Sequence, residues 1–164
     1  MSNTLTAEAL SALAPGERGE TLVITVGNPF RCDDGVGPFI GGRLLGRRLG
    51  FRLINAFDRP ESAVDEAVGI KPAKVIFIDA ADFGGLPGEV KVIAVRSIPE
   101  SSLSTHSIPL SVVAGIIGED TRAQTVFLGI QTRNTGYGEE LSPEVEASAR
   151  LILGCLKAFG LYKR

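Results

Sequence analysis

Three side chains that could do chemistry stand far apart in the chain: Asp34, Asp79 and His106. His106 is the only histidine, and it follows the polar residues Ser104 and Thr105 rather than lying on an apolar face. Carboxylate oxygens and an imidazole nitrogen suit nickel, zinc, manganese or iron. Three protein ligands would also leave a coordination position open for a group of a substrate. The residue types are therefore compatible with a divalent-metal site.

Each of these residues also has an ordinary structural interpretation. Asp33 or Asp34 can cap the helix that begins near Gly35. Asp79 can accept hydrogen bonds from loop amides. A single histidine in a loop is more often a surface residue than a metal ligand. The spacing of the residues leaves the metal site and these structural roles open.

The elements that would position these residues alternate between strands and helices. Short, β-branched apolar runs predict strands that are buried on both faces, and apolar residues at helical spacing predict helices. The predicted strands are 22–26, 51–54, 75–78, 90–95 and 125–130, and the predicted helices are 36–49, 61–68, 110–117 and 143–160. Strand 90–95 alternates apolar and polar residues, which indicates an antiparallel edge strand. Ser142 is the predicted N-cap of the last helix.

This alternation predicts an α/β fold of three layers, in which a mostly parallel, twisted sheet of about five strands carries helices on both faces. Residues 1–19 are expected to be an N-terminal appendage with a short helix capped by Thr6, and residues 20–164 a single domain. Sites in such sheets form beyond the carboxyl ends of the strands. Asp34 and Asp79 follow the first and third predicted strands, which are expected to be neighbours at the centre of the sheet.

Several common sites are disfavoured by the same loops. A P-loop requires a Lys followed by Ser or Thr, but Gly35 is followed by Val36-Gly37. A dinucleotide motif would need its third glycine one residue before Gly41 and an acidic residue at Asn55. The chain has no Gly-x-Ser-x-Gly elbow. Cys32 is expected to be an ordinary loop residue because the two adjacent carboxylates disfavour a thiolate. No organic cofactor is expected.

The composition excludes other classes of protein. The net charge is -2 and no run of like charge occurs, so nucleic acid and acidic membrane surfaces are not expected partners. The first twenty residues carry three glutamates and no long apolar stretch, so no signal peptide and no membrane insertion are expected. Cys32 and Cys155 do not make a disulfide framework. These features favour a cytoplasmic location, and they do not indicate an oligomeric state.

The ordered set of motifs resembles the nickel–iron hydrogenase maturation endopeptidases. The resemblance is closest to the branch that processes hydrogenases of the formate-hydrogenlyase type. Gly27-Asn28 followed by Asp33-Asp34-Gly35-Val36-Gly37 is similar to the opening motif of the family, and Ile78-Asp79-Ala80 to its second motif. The segment 104–110 is similar to the histidine segment, 87–90 to the turn before the fourth strand, and 127–131 to the last strand.

The resemblance implies an endopeptidase domain that removes a short C-terminal extension from the precursor of a hydrogenase large subunit. Members of the family cut once nickel has been placed in that precursor, so the nickel is carried by the substrate. They recognise it through two acidic residues and a histidine, which correspond here to Asp34, Asp79 and His106. These three are the candidate catalytic and nickel-contacting residues. Asp34 is the candidate general base, and Asp33 is expected to organise the turn.

One segment departs from the pattern of the family. The family usually has a small, glycine-containing loop after the second strand, whereas this chain has the segment 55–61 with Phe57 in it. Phe57 places a large side chain where a close backbone approach is expected. This departure concerns which large subunit is the client, and it does not affect the three candidate ligands.

Two other classes of function remain open from the sequence. The first is a non-catalytic, nickel-sensing assembly factor that uses the same three residues without cutting. The second is an unrelated α/β enzyme that acts on a small molecule through the loop after the first strand. Within the endopeptidase hypothesis, either the metal or an aspartate could activate the attacking water.

Overall fold

The computed structural model describes residues 3–98 and 108–161 of the chain. The strands are β1 (Thr21–Val26), β2 (Arg52–Phe57), β3 (Lys74–Ala81), β4 (Val90–Ile93) and β5 (Gln124–Gln131). The helices are α1 (Ala7–Leu13), α2 (Val36–Leu44), α3 (Val64–Ile70), α4 (Leu110–Thr121) and α5 (Pro143–Leu161). Short 3₁₀ turns at Cys32–Gly35, Pro60–Ala63 and Val95–Ser97 complete the regular structure of these residues.

The five strands form one sheet in the order β2-β1-β3-β5-β4. β1 pairs in parallel with β2 and β3, β3 pairs in parallel with β5, and β4 is antiparallel to β5 at the edge. The predicted antiparallel edge strand and the central pairing of the first and third strands are therefore confirmed. All six side chains of β1 and all eight of β3 are buried, which explains their continuous apolar runs.

Helices cover both faces of the sheet, as the sequence predicted. One core lies between the sheet and helices α1, α2 and α5, and it contains Ile40, Ile76, Ile152 and Leu156. The other core lies between the sheet and helices α3 and α4, and it contains Phe77, Ala67, Ile117 and Phe127. The three-layer α/β architecture is confirmed. None of the helices in the described ranges is both long and apolar enough to cross a bilayer.

The N-terminal helix is joined to the rest of the molecule. Thr6 caps α1 by accepting a hydrogen bond from the Ala9 amide at 3.1 Å, as predicted. Leu13 is buried in the core shared with α2 and α5. The ammonium group of Lys74 donates to the Ala14 carbonyl at 2.6 Å, and burial lowers the pKa of this lysine. Helix α1 therefore packs on the domain instead of fraying.

The boundaries of several elements differ from the prediction. β2 continues through Asn55 to Phe57 because Thr25 donates its hydroxyl to the Asn55 side-chain oxygen at 3.0 Å and the two strands keep pairing. Helix α2 ends at Leu44, since Leu45 is extended and Gly46 has a φ of 72°. Helix α3 runs past Gly69 and ends where Lys71 adopts the left-handed conformation. Helix α5 begins at Pro143, as predicted.

Candidate active site

The loop between β1 and α2 folds back on itself through two glycines. Gly27 has a φ of 146°, and a Cβ atom there would collide with the carbonyl oxygen of Asp34. A Cβ atom at Gly37 would collide with the carbonyl oxygen of Val26. Glycine at both positions lets the loop close and lets α2 approach the end of β1. The glycines of this motif therefore serve close backbone packing.

Asp34 lies in the 3₁₀ turn at the carboxyl end of β1, and 3% of its surface is exposed. Its Oδ2 accepts a hydrogen bond from the Asn28 amide at 3.2 Å, which fixes the carboxyl group against the loop. The N-cap residue of α2 is Gly35, which provides no side-chain cap.

Asp79 lies within β3 instead of in the loop after it, because β3 keeps pairing with β5 as far as Ala81 and Gln131. It is buried, and its Oδ1 accepts a hydrogen bond from the Ala80 amide at 2.8 Å. The predicted loop amides are not the donors to Asp79 here, since Ala80 belongs to β3 itself. Burial raises the pKa of Asp79 well above its ordinary value of 3.8, and the negative charge of Asp34 raises it further.

The structure thus brings two of the three candidate residues together at the carboxyl edge of the sheet. β1 pairs in parallel with β3 up to Thr25 and Ile78, so the loop after β1 lies at the same end of the sheet as Asp79, and the negative charge of Asp34 acts on the Asp79 carboxyl group. His106 lies in segment 99–107, outside the described residues. Within the described ranges, no group of three or more His, Cys, Asp or Glu side chains is arranged to hold a metal ion.

Asp33 organises the site loop, as predicted, and it does so by binding a distant segment. Its Oδ2 accepts hydrogen bonds from the amides of Arg133 at 2.8 Å and Asn134 at 2.9 Å. Its two oxygens also accept bonds from the Ser142 amide at 2.6 Å and the Ser142 hydroxyl at 2.8 Å. Asp33 has no exposed surface. This carboxylate fastens the loop before α5 to the loop before α2.

Backbone hydrogen bonds also connect the loop before α2 to the loop before α5. The Cys32 amide donates to the Gly138 carbonyl at 2.7 Å, and the Gly138 amide donates to the Phe30 carbonyl at 3.0 Å. The thiol of Cys32 is buried, and its sulfur accepts a hydrogen bond from the Asn134 side chain at 3.6 Å. Cys32 is accordingly a packed loop residue, which agrees with the expectation from the sequence.

Gln131 is a residue of the site edge that sequence reasoning missed. Its side-chain oxygen accepts hydrogen bonds from the amides of Phe83 at 2.9 Å and Gly85 at 3.1 Å. Its side-chain nitrogen donates to Asp82 at 3.1 Å, and this bond lowers the pKa of Asp82. Asp82 is an exposed loop residue whose carboxylate is held by this bond. The sequence does contain one indication of this role, which is a side-chain amide at the end of an apolar strand.

Phe57 ends β2 beside the site loop. It has a φ of 52°, a conformation that is unfavourable for a bulky residue, and its side chain is 45% exposed. Its carbonyl oxygen accepts a hydrogen bond from the Gly27 amide at 2.8 Å. The close approach expected at this point is thus made by backbone atoms, while the large side chain points away from the packed interior.

Comparison with known proteins identifies the family. The model of the HycI family, described as hydrogenase maturation protease, matches residues 50–156, a range that begins after Asp34 and contains Asp79. The hydrogenase 3 maturation protease of Escherichia coli K12 is 30% identical over 118 residues, which cover 71% of this chain and 75% of that protein. A putative hydrogenase maturation protease of Methanocaldococcus jannaschii is 31% identical over 144 residues, 82% of this chain and 85% of that protein.

A solved structure gives the same result. The crystal structure of the [NiFe] hydrogenase maturation protease HycI from Thermococcus kodakarensis superposes with a TM-score of 0.73 and 33% identity, and the match covers 87% of this chain and 95% of that one. The chain belongs to the hydrogenase maturation protease family, whose members are peptidases. The family resemblance inferred from the ordered motifs is confirmed.

Proposed function

We propose that this peptidase removes the C-terminal extension from a nickel-loaded large-subunit precursor of an [NiFe] hydrogenase. In this proposal Asp34, Asp79 and His106 contact the nickel that the precursor carries. The observation that supports it most directly is the pair of buried carboxyl groups at the carboxyl edge of β1 and β3. The family membership supports a peptidase that acts on hydrogenase precursors.

The carboxyl pair is suited to recognising a cation. Two buried carboxyl groups disfavour each other's ionised form, which is why the pKa of Asp79 is raised. A divalent ion that arrives with the substrate would favour the ionised form of both groups and relieve this repulsion. The enzyme would then bind a precursor that lacks nickel only weakly. The pair would thus distinguish a loaded precursor from an empty one.

The same pair suggests a division of roles in peptide hydrolysis. The negative charge of Asp34 raises the pKa of Asp79, and Asp34 is the proposed general base toward the attacking water. Nickel bound by the substrate would hold the scissile peptide beside Asp34, and it could polarise the scissile carbonyl. Asp33 cannot take this role, since its oxygens already accept hydrogen bonds from the loop before α5.

The test is incubation of the purified protein with nickel-loaded and nickel-free precursor, followed by mass spectrometry of the released tail. We expect a single C-terminal fragment that appears only with the loaded precursor. An intact precursor that nevertheless binds the protein would instead favour the non-catalytic assembly factor.

Replacing the histidine tests the assignment of the third residue. We expect His106→Ala to abolish processing without changing the thermal unfolding of the domain, because the polar sequence around His106 predicts a position outside the core. Thr105→Ala, which removes a neighbouring polar group and keeps the imidazole, should process normally. A normal rate for His106→Ala would show that the assignment is wrong.

A further inference from the structure

A groove between α2 and α5 gathers basic side chains that are far apart in the sequence. It has a volume of about 360 Å³. Its lining consists of Arg43, Arg47, Arg150, Leu153, Gly154 and Lys157. Four cationic side chains thus surround one groove in a chain whose net charge is -2. The fold brings these cations together, because the sequence has no long run of basic residues.

Two of the guanidinium groups are held in place by the protein itself. The Arg43 guanidinium stacks 3.4 Å above the centroid of the Phe39 ring and donates to the Phe39 carbonyl at 3.3 Å. Arg47 donates to the Arg43 carbonyl at 2.9 Å. A guanidinium has five N–H donors, so both groups keep donors for another partner. Fixed side chains lose less conformational entropy when they bind.

The negative charge beside the groove is small. Glu146 forms an ion pair with Arg150 at 2.6 Å. Within residues 3–98 and 108–161, no ion pair involves Arg43, Arg47 or Lys157. The groove therefore has a positive charge that the described part of the chain does not neutralise.

The groove is elongated and open above its centre. On α5, Arg150, Gly154 and Lys157 are spaced four and three residues apart and share one face, which spans about 10 Å. A Cβ atom at Gly154 would meet no other atom within 4 Å. An elongated surface with cations along both sides fits an extended acidic segment better than a single compact anion.

The position of the groove relative to the site indicates the partner. Helix α2 begins two residues after Asp34, and Val36 and Arg43 are about 10 Å apart along its axis. An interface of standard size buries about 800 Å² on each partner, which is wide enough to cover both the site and the groove. A protein that presents its C-terminal segment to the site would therefore also reach the groove.

We propose that this groove, which we call the α2–α5 basic groove, is a second docking site for the precursor and binds an acidic surface segment of it. This inference rests on the proposed function, because the precursor is the partner at the site. Charges at the rim of an interface act mainly on association and on the salt dependence of binding. The groove should thus lower the KM for the precursor and leave the chemical step unchanged.

The main experiment compares cleavage kinetics of nickel-loaded precursor by the wild type and by three variants. The triple variant Arg43→Gln, Arg47→Gln, Lys157→Gln should raise KM about 10-fold at low ionic strength with kcat unchanged. Gly154→Glu adds a carboxylate in the open space of the groove without disturbing a packed atom, and it should raise KM in the same direction. The control variant Arg18→Gln, Arg52→Gln, Arg96→Gln removes the same charge elsewhere and should leave KM unchanged.

Each outcome decides the proposal. Unchanged KM in both groove variants would overturn it, as would a loss confined to kcat. An equal rise of KM in the control variant would also overturn it, because the effect would then depend on net charge alone. Circular dichroism melting shows whether each variant folds. If the triple variant does not fold, the KM of Gly154→Glu decides the proposal.

A binding measurement separates this inference from the proposed function. Fluorescence anisotropy with a fluorescein-labelled octaglutamate peptide should show binding to the wild type that is about 10-fold weaker for the triple variant. If the wild type binds this peptide but leaves the precursor intact, the proposed function fails and the groove remains an acidic-segment site. If the wild type does not bind the peptide, or binds inorganic tripolyphosphate more tightly at the groove, the acidic-segment proposal is wrong.

Discussion

Asp33 and Asp79 are two buried carboxyl groups at the same edge of the sheet, and their surroundings differ. Asp33 accepts hydrogen bonds from three backbone amides and one hydroxyl. Asp79 accepts a bond from the Ala80 amide while it faces the negative charge of Asp34, and its pKa is raised. Hydrogen-bond donors of the protein replace the water molecules that Asp33 loses on burial. The surroundings of Asp79 instead disfavour its ionised form. Burial alone therefore does not decide how readily a carboxyl group ionises, because the hydrogen-bond donors and charges around it also act on its pKa.

The largest expected effect is on catalysis. Asp79→Asn should lower the rate of precursor cleavage at least about 100-fold, because the amide cannot provide a carboxylate to the incoming cation. The same variant should raise the free energy of unfolding at neutral pH by about 1–2 kcal/mol, since the buried ionisable group is removed. Cleavage assays and urea denaturation measure the two effects. Asp120→Asn, an exposed carboxyl on α4, should change neither of them.

The second expected effect is on stability. Asp33→Ala should lower the free energy of unfolding by about 3 kcal/mol, because it leaves buried amides of Arg133, Asn134 and Ser142 without their acceptor. Asp33→Asn keeps one acceptor oxygen and should lose less. Urea denaturation of both variants checks the order. A loss below about 0.5 kcal/mol for Asp33→Ala would contradict the structural role, since surface substitutions commonly cost that much.

The pH dependence of stability provides a third contrast. The ordinary pKa of an aspartate is 3.8, and that of Asp79 in the folded protein is raised well above this value. As pH rises from about 4, the unfolded chain releases this proton while the folded protein retains it, so the wild type loses stability. Asp79→Asn lacks this loss. The difference in unfolding free energy between the two should be close to zero below pH 3.8 and grow until pH exceeds the folded pKa. A difference that is constant with pH would contradict the raised pKa.

The smallest expected effect concerns the backbone at the edge of the site. Phe57 holds a left-handed conformation, which costs a non-glycine residue about 1 kcal/mol or more. Phe57→Gly removes that cost but increases the conformational freedom of the unfolded chain, so we expect a net gain of about 0.5 kcal/mol. Phe57→Ala retains the cost and should not be stabilised. Thermal unfolding of the two variants in parallel measures the difference.

The sequence was sufficient to predict the order and type of the main elements. The apolar runs of β1 and β3 are buried on both faces, as is the segment 127–130 of β5, and Pro143 begins α5, as local patterns indicated. The boundaries of β2 and α3 were less accurate. Asn55 stays in its strand through a side-chain bond with Thr25, and Lys71 instead of Gly69 takes the left-handed position at the end of α3. Both outcomes depend on neighbours that a local pattern does not contain.

The candidate site was predicted in part. That Asp34 and Asp79 meet follows from the parallel pairing of their strands, which the alternation of elements predicted. The anchoring role of Asp33 was foreseen as a property of one turn, but its partners come from a loop about a hundred residues later in the chain, with separations of 100 to 109 positions. The residues next to Asp33 in the sequence do not allow those partners to be predicted. The four cations of the α2–α5 basic groove were missed for the same reason, because α2 with the turn after it and α5 supply them from distant parts of the sequence.

The bonds of Asp33 also constrain when the site can form during synthesis. The side chain of Asp33, in the loop that carries Asp34, accepts its hydrogen bonds from residues 133–142, which the ribosome adds roughly a hundred residues after Asp33 itself. Contacts of such long separation form late, after the strands between them have paired. A nascent or truncated chain that lacks the β5–α5 loop would thus have the two acidic residues but not the fixed loop that sets their geometry. The loop that carries Asp34 would therefore take its fixed geometry only after residues 133–142 have been added.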